Sequence, residues 1–245
     1  MEAALISRLQ AYTRLSQDDR AALKKLTYSN REVAARRDLI REGDSPAYVH
    51  LVIRGWACRY KTTPDGRRSI LSFFMPGDFC DLNIYILREM DHSIAAITNL
   101  KVAQITRSAM DDLMSRHPRL TQALWWHELV GTAVQREWTH NLAARSAYER
   151  LAHLFVETFL RLRAVGLTTG DSCDFPPTQS DLADATGLTA VHVNRTLQEL
   201  RSDGLIELER KRLRLPDLPR LMDAAMFNPN YLHLDHEGAS LNAND

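Results

Sequence analysis

The sequence predicts an α+β fold: an N-terminal antiparallel β-roll of jelly-roll type, one long helix, and a compact helical unit closed by a β-hairpin. Three observations predict it. Between residues 31 and 107 short β-branched and aromatic runs alternate with glycine turns. After Pro118 apolar residues recur at steps of four and three over a long stretch. Residues 178–202 then set two short helical patterns on either side of a glycine. Across 245 residues, 44% hydrophobic and 25% charged content is ordinary for a globular chain and excludes disorder, collagen-like repeats and coiled-coil filaments. The expected divisions are residues 1–118, 119–144, 145–220 and a tail over 221–245.

Residues 4–26 read as short helices. Leu5, Leu9 and Tyr12 lie at helical spacing, and Ser16 before Asp18 and Asp19 is an N-cap for the next run. Strands are expected at 48–53, 56–60, 69–74 and 102–105, separated by turns at Gly43-Asp44, Arg54-Gly55, Pro64-Asp65-Gly66 and Pro76-Gly77-Asp78. On the long helix, Leu120, Leu124, His127, Gly131, Val134, Trp138 and Leu142 form a seam suited to a partner helix, and Trp126, Leu129, Ala133 and His140 form a competing one. A second helix runs from Arg145 to Leu167, and the breaker-rich stretch over 166–177 reads as a loop.

Residues 178–202, TQSDLADATGLTAVHVNRTLQELRS, carry the function. A helix-turn-helix needs a small residue in its first helix, a residue tolerant of positive φ at the turn, and a branched wedge in its second helix. Ala183, Gly187 and Val193 meet these demands at offsets zero, four and ten. In the second helix Val193, Leu197 and Leu200 face inward. The opposite face, Ala190, Val191, Asn194, Arg195 and Gln198, is placed to enter a major groove. Arg195 has the reach for a guanine edge and Asn194 for adenine. Thr189, His192, Thr178 and Gln179 complete the candidate DNA contacts, Thr189 and His192 on phosphate. A strand over 204–209, the basic turn Arg210-Lys211-Arg212 and a returning strand over 213–215 make a β-hairpin wing, and so a winged helix-turn-helix, whose tip would lie along the phosphate backbone. Residues 189–215 hold six basic and four acidic residues, although the whole chain has 31 of each.

Other chemistries find little support. Cys58, Cys80 and Cys173 stand apart without metal or disulfide spacing, and the roll has no His-x-His, nucleophile elbow or P-loop, so no enzyme and no metal site are expected. The first 20 residues do not read as a signal peptide, and no apolar run has membrane-spanning length, which points to a cytoplasmic protein.

With LIREGDSPAYVHLVIRGWACRY, PDGRRSILSFFMPGDF and the helix-turn-helix in place, the chain resembles the Crp/Fnr family of bacterial transcription regulators over nearly its whole length. The resemblance implies a cyclic-nucleotide-binding-type roll, a dimerisation helix over 119–143 and a winged domain. It implies a homodimer on a roughly palindromic operator, with half-sites one helical turn or about 10 base pairs apart, and RNA polymerase as a further partner. It also implies reorientation of the winged domains about a hinge near Ala143–Ser146. The family's cyclic AMP contacts are a glutamate and an arginine. Here Cys80, Asp81, Leu82 and Asn83 follow the GDF segment, with Leu82 in the glutamate's place, and the later pair is His92-Ser93. Cyclic AMP binding by the usual mode is therefore expected to be lost. Residues 1–57 lack the cysteines of the iron–sulfur members, and Cys80 and His92 are weak haem ligands. The effector remains unassigned. The rival readings are the same architecture with a retained small-molecule effector, cyclic nucleotide or haem, and a winged helix that binds protein.

Overall fold

The structure is a computed structural model that describes residues 2–26, 29–82 and 84–234. The chain forms two units, one of Met1–Lys61, Ser72–Thr132 and His233–Asp245, the other of Thr62–Leu71 and Ala133–Leu232.

The first unit opens with α1 (Glu2–Gln10) and α2 (Gln17–Leu26). Ser16 starts α2 by a reciprocal cap: its hydroxyl accepts from the Asp19 amide, and Asp19 accepts from the Ser16 amide and hydroxyl. Seven strands follow: β1 (Asn30–Val33), β2 (Asp38–Ile40), β3 (Tyr48–Arg54), β4 (Ala57–Thr62), β5 (Arg68–Phe74), β6 (Ser93–Ala96) and β7 (Leu100–Thr106). They form two sheets in the orders β1-β7-β3 and β2-β6-β4-β5, with β1 and β3 antiparallel to β7, and β2 and β4 antiparallel to β6. The short strands β1, β2 and β6 carry no alternation that sequence periodicity could register. Next come α3 (Arg107–Arg116) and the long helix α4 (Pro118–Ala144). Leu9, Leu23, Leu51, Ile94, Leu100, Ile105 and Leu120 share one buried core.

The PGD turn is fixed by two close contacts. Gly77 sits at φ +90°, where a Cβ would lie 3.0 Å from the Ala4 carbonyl, so only glycine lets α1 pack here. Asp78 accepts from the Met75 amide at 2.8 Å and ion-pairs with Arg8 of α1 at 2.9 Å, both side chains being buried.

The second unit contains the rest of α4, then α5 (Ala147–Ala164), β8 (Thr168–Thr169), β9 (Ser172–Asp174), α6 (Gln179–Thr186), α7 (Ala190–Ser202), β10 (Glu207–Glu209), β11 (Arg212–Arg214), α8 (Leu218–Ala224) and a 3-10 turn at Pro229–Leu232. The stretch over 166–177, expected as a loop, instead contains β8 and β9. These extend the wing into a four-stranded sheet ordered β10-β11-β9-β8, with Cys173 opposite Leu213. Burial of both side chains at that pair favours the pairing over a solvated loop. Phe155 of α5 meets Phe175 edge-on at 5.2 Å and seats the helix on this sheet.

His50 in β3 is 4% exposed, and neither ring nitrogen has a hydrogen-bond partner among the described residues. Burial, reinforced by the Arg31 charge and partly offset by Asp81, pushes its pKa down to about 4. An unfolded histidine titrates near 6.5, so below that pH the unfolded chain binds this proton first. The stabilisation is complete above about pH 6.5 and declines as the pH falls toward 4, by roughly 1.4 kcal/mol per pH unit. His50→Phe should flatten that limb of the stability profile in urea unfolding at pH 7, 6 and 5. A slope identical to the parent's would refute the assignment.

Candidate nucleic-acid interface

The reading surface is built by caps and one left-handed turn. Thr178 caps α6, its side chain accepting from the Asp181 amide while Asp181 accepts from the Thr178 amide at 2.8 Å. Gly187 ends α6 at φ +66° and donates its amide to the Ala183 carbonyl, which makes the sharp turn. Thr189 then caps α7 by accepting from the His192 amide at 3.2 Å. Val193, Leu197 and Leu200 are fully buried, so the wedge face lies inward.

The opposite face is open. Thr178, Gln179, Thr189, Ala190, Val191, Arg195 and Gln198 are exposed, and His192 and Asn194 are half-buried. Val191 is 81% exposed at the first turn of α7, an apolar group with no internal use. The Asn194 amide donates to Gln179 Oε1 at 3.3 Å, joining the start of α6 to α7 on one surface. Arg195 makes no ion pair among the described residues.

A residue unmarked by the sequence pattern holds this surface to α4. Arg150, in the first turn of α5, donates to the carbonyls of Thr186 at 2.5 Å, Arg145 at 3.0 Å and Leu142 at 3.1 Å. One guanidinium thus satisfies the otherwise open ends of α4 and α6. An arginine on a helix reads from sequence as a solvated residue, so no periodicity could have singled it out.

At the wing tip Glu209 pairs with Arg212, leaving Arg210 and Lys211 as a two-residue turn with φ +48° and +65°. A turn with both central residues left-handed favours Asn-Gly. Side chains there cost on the order of 1 kcal/mol each. Arg210 and Lys211 make no ion pair among the described residues, whereas Arg212 lies 3.8 Å from Asp174 and Arg214 bridges Asp171 and Glu207 at 2.8 and 2.9 Å.

The seam expected on α4 is largely used within the subunit. Leu120, Leu124, Val134 and Trp138 are 0–7% exposed, packed against their own chain; His127 is half-buried; Gly131 and Leu142 are exposed. Of the competing seam, Ala133 is buried and Trp126 half-buried. The exposed large apolar residues in the first unit's part of α4 are Trp125 at 69% and Leu129 at 65%. They border a cleft of about 340 Å³ also lined by Leu82, Met110 and Met114. A step of four and three recurs on more than one face of the same helix, and internal packing claims the face that the sequence favoured.

In the roll, Cys80, Leu82, His92 and Ser93 are buried and Asp81 is half-buried; Asn83 lies outside the described residues. Asp81 is the hub. It accepts from Arg59 of β4 at 2.6 Å, and its other oxygen is 3.2 Å from His92 Nε2. Arg59 also donates to the Cys80 carbonyl and lies over the Phe74 ring, while His92 Nδ1 meets Asp91 at 2.7 Å. Ser93 accepts from the Glu42 amide. The region has an arginine after all, but its charge is already matched by Asp81. Burial raises the Cys80 thiol well above its ordinary pKa.

The comparisons with known proteins agree with this anatomy. The Crp-like helix-turn-helix domain matches residues 149–224, and the cyclic nucleotide-binding domain matches residues 30–117. The chain is 29% identical over 216 residues to the transcriptional activator protein FnrL of Cereibacter sphaeroides, covering 86% of each. It is 29% identical over 194 residues to the nitrogen fixation regulation protein FixK of Bradyrhizobium diazoefficiens, covering 78% of this chain and 80% of that one. In fold it is similar to the solved FixK2 of Bradyrhizobium japonicum, with a TM-score of 0.69 at 24% identity over 80% of this chain and 96% of that one. β-roll, helix-turn-helix and wing in this order, matched along the chain by both domain families, make the protein a member of the Crp/Fnr family of DNA-binding transcription regulators.

Proposed function

We propose that the protein works in the cytoplasm as a homodimer on a roughly palindromic operator, binding rather than catalysing, with RNA polymerase as its further partner. The observation that carries this reading is the exposed first turns of α7, where Val191 and Arg195 project with no partner among the described residues. Val191 suits a thymine methyl group and Arg195 a guanine edge. Arg210 and Lys211 suit the phosphates, which supply affinity without sequence preference. The described helices include none long and apolar enough to cross a membrane.

Trp125 and Leu129 are the proposed core of the dimer contact, replacing the Leu120–Leu124 seam. Two aromatic and aliphatic anchors beside an apolar cleft are the pattern of an interface hot spot. In the roll, the Arg59–Asp81–His92 network stands where a cyclic nucleotide would need a free guanidinium and a ribose acceptor, so control by cyclic AMP in the family's usual mode is proposed to be absent.

Two substitutions separate base reading from backbone contact. Arg195→Ala should cost about 1–3 kcal/mol at one base position per half-site and leave other sequences nearly unaffected. Lys211→Gly should weaken all duplexes alike and lower the salt slope by about 1 per half-site, without loss of thermal stability because glycine relieves the turn. Binding to a randomised duplex pool at three salt concentrations reads both. No enriched palindrome with the parent would sink the reading, and a uniform loss from Arg195→Ala would make that residue a phosphate contact.

Trp125→Glu should raise the dimer dissociation constant at least about a hundredfold, or roughly 3 kcal/mol, and sedimentation should show half the parent's mass. A dimer that survives would place the interface elsewhere. Titration calorimetry with cyclic AMP and cyclic GMP should show no micromolar binding. Submicromolar binding lost in Arg59→Ala would restore the cyclic-nucleotide reading.

A further inference from the structure

The break between α4 and α5, at Arg145 and Ser146, lies wholly inside the second unit and is surrounded by buried polar groups that the reading surface does not use. Glu157 of α5 is 1% exposed. Its carboxylate accepts from Trp138 Nε1 of α4 at 3.1 Å to both oxygens, from the Tyr231 hydroxyl at 2.9 Å and from Arg161 at 3.3 Å. Tyr231 belongs to the C-terminal 3-10 turn, 74 residues away in sequence.

The same segment reaches the break a second time. Arg145 donates to the Met226 carbonyl at 3.3 Å and ion-pairs with Glu137 of α4 at 2.8 Å. Met226 is left-handed at φ +47°, a conformation that side chains resist, and it turns the chain after α8 so that Phe227 and Tyr231 face α5. There the Phe227 ring centroid lies 4.7 Å from that of His153, and Tyr231 stacks on His153 at 5.9 Å with planes 15° apart. Tyr231 and Leu232 are buried. A strained residue persists only where its surroundings over-determine it. Here the surroundings are the last turns of α4, the first turns of α5 and the break between them.

We propose that Met226–Leu232 is a strap that closes the α4–α5 break, so that the end of the long helix and the reading helices behave as one body. Tyr231, Glu157 and Arg145 are its positioning residues. They touch no base, and they set the separation at which two reading helices can be presented. Bending at the break requires the strap to open, so a signal acting through this joint acts on the strap. The operator consequence rests on the dimeric, palindrome-binding reading given above; the strap itself does not.

The test uses the full chain with Tyr231→Phe, which removes one hydroxyl, and Arg145→Gln. Duplexes carry the enriched palindrome with its native spacer, with the spacer changed by one base pair in either direction, or with a single half-site. The parent should lose at least about tenfold in affinity when the spacer changes, because two-site engagement fails. Each variant should lose less than about threefold, with single half-site affinity within about twofold of the parent's. Amide exchange, read without DNA, should be at least about tenfold faster over residues 141–147 with protection of Val193–Leu200 retained. Unchanged spacing preference and unchanged exchange at the break overturn the strap, as does an equal loss of protection in α7, which would make these residues general core. A parent that enriches no palindrome refutes the operator reading, and the exchange measurement still decides the strap.

Discussion

A carboxylate buried in the seam of an almost entirely enclosed helix is the constraint on which the second unit is organised. Taking Glu157 out of water costs several kcal/mol unless donors meet it. They come from α4, from the next turn of α5 and from the C-terminal turn. These elements have one mutual arrangement in which all donors reach the same two oxygens. That fixes the rotation of α5, and with it the surface against which Val193, Leu197 and Leu200 wedge α7. Hydrophobic packing alone would tolerate small rotations of these helices, because apolar contact is non-directional. The buried charge removes that freedom, and Arg150 repeats the device at the turn by collecting the carbonyl ends of α4 and α6.

What the sequence discloses follows the same distinction. The helix-turn-helix is legible because its demands are steric and fall on single positions: Gly187 must be left-handed, Ala183 small, Val193 branched. The cap at Ser16 is legible because a hydroxyl just before a run of helix formers has few other uses. Which apolar face of α4 stays open is not legible, since Leu124 and Trp125 are adjacent, both apolar, and separated only by which face the roll covers. Strands of two or three residues, such as β8 and β9, are too short to show alternation, and Gly166 and Gly170 mark the region as loop. Glu157, Arg145 and Arg150 escape notice because a charged residue in a helix reads as solvated until its burial is known.

The roll shows the same limit from the other side. Leu82 and His92 stand where the family resemblance implies a glutamate and an arginine, and that difference is visible in the sequence. The arginine that the pocket does contain comes from β4, 21 residues before Cys80, and its role depends on a strand pairing that brings Arg59 opposite Ile94. Its guanidinium is spent on Asp81 and the Cys80 carbonyl. A cyclic phosphate would have to displace a carboxylate already seated at 2.6 Å.

Charge placement settles how such a protein can bind DNA at all with 31 acidic residues against 31 basic ones. Several cations of the winged region are internally matched: Arg145 by Glu137, Arg161 by Glu157, Arg212 by Asp174, and Arg214 by Asp171 and Glu207. Among the cations without a carboxylate partner in the described residues, three stand where the fold presents them to solvent, Arg195 on α7 and Arg210 and Lys211 on the wing. Two of the three occupy left-handed turn positions where glycine or asparagine would be more stable, so stability is surrendered at that tip to keep positive charge. A long-range field is thereby replaced by a few placed charges. On the proposed reading, non-specific attraction, which grows with the number of phosphates neutralised, is kept small, and the weight of recognition falls on the base edges that α7 would reach.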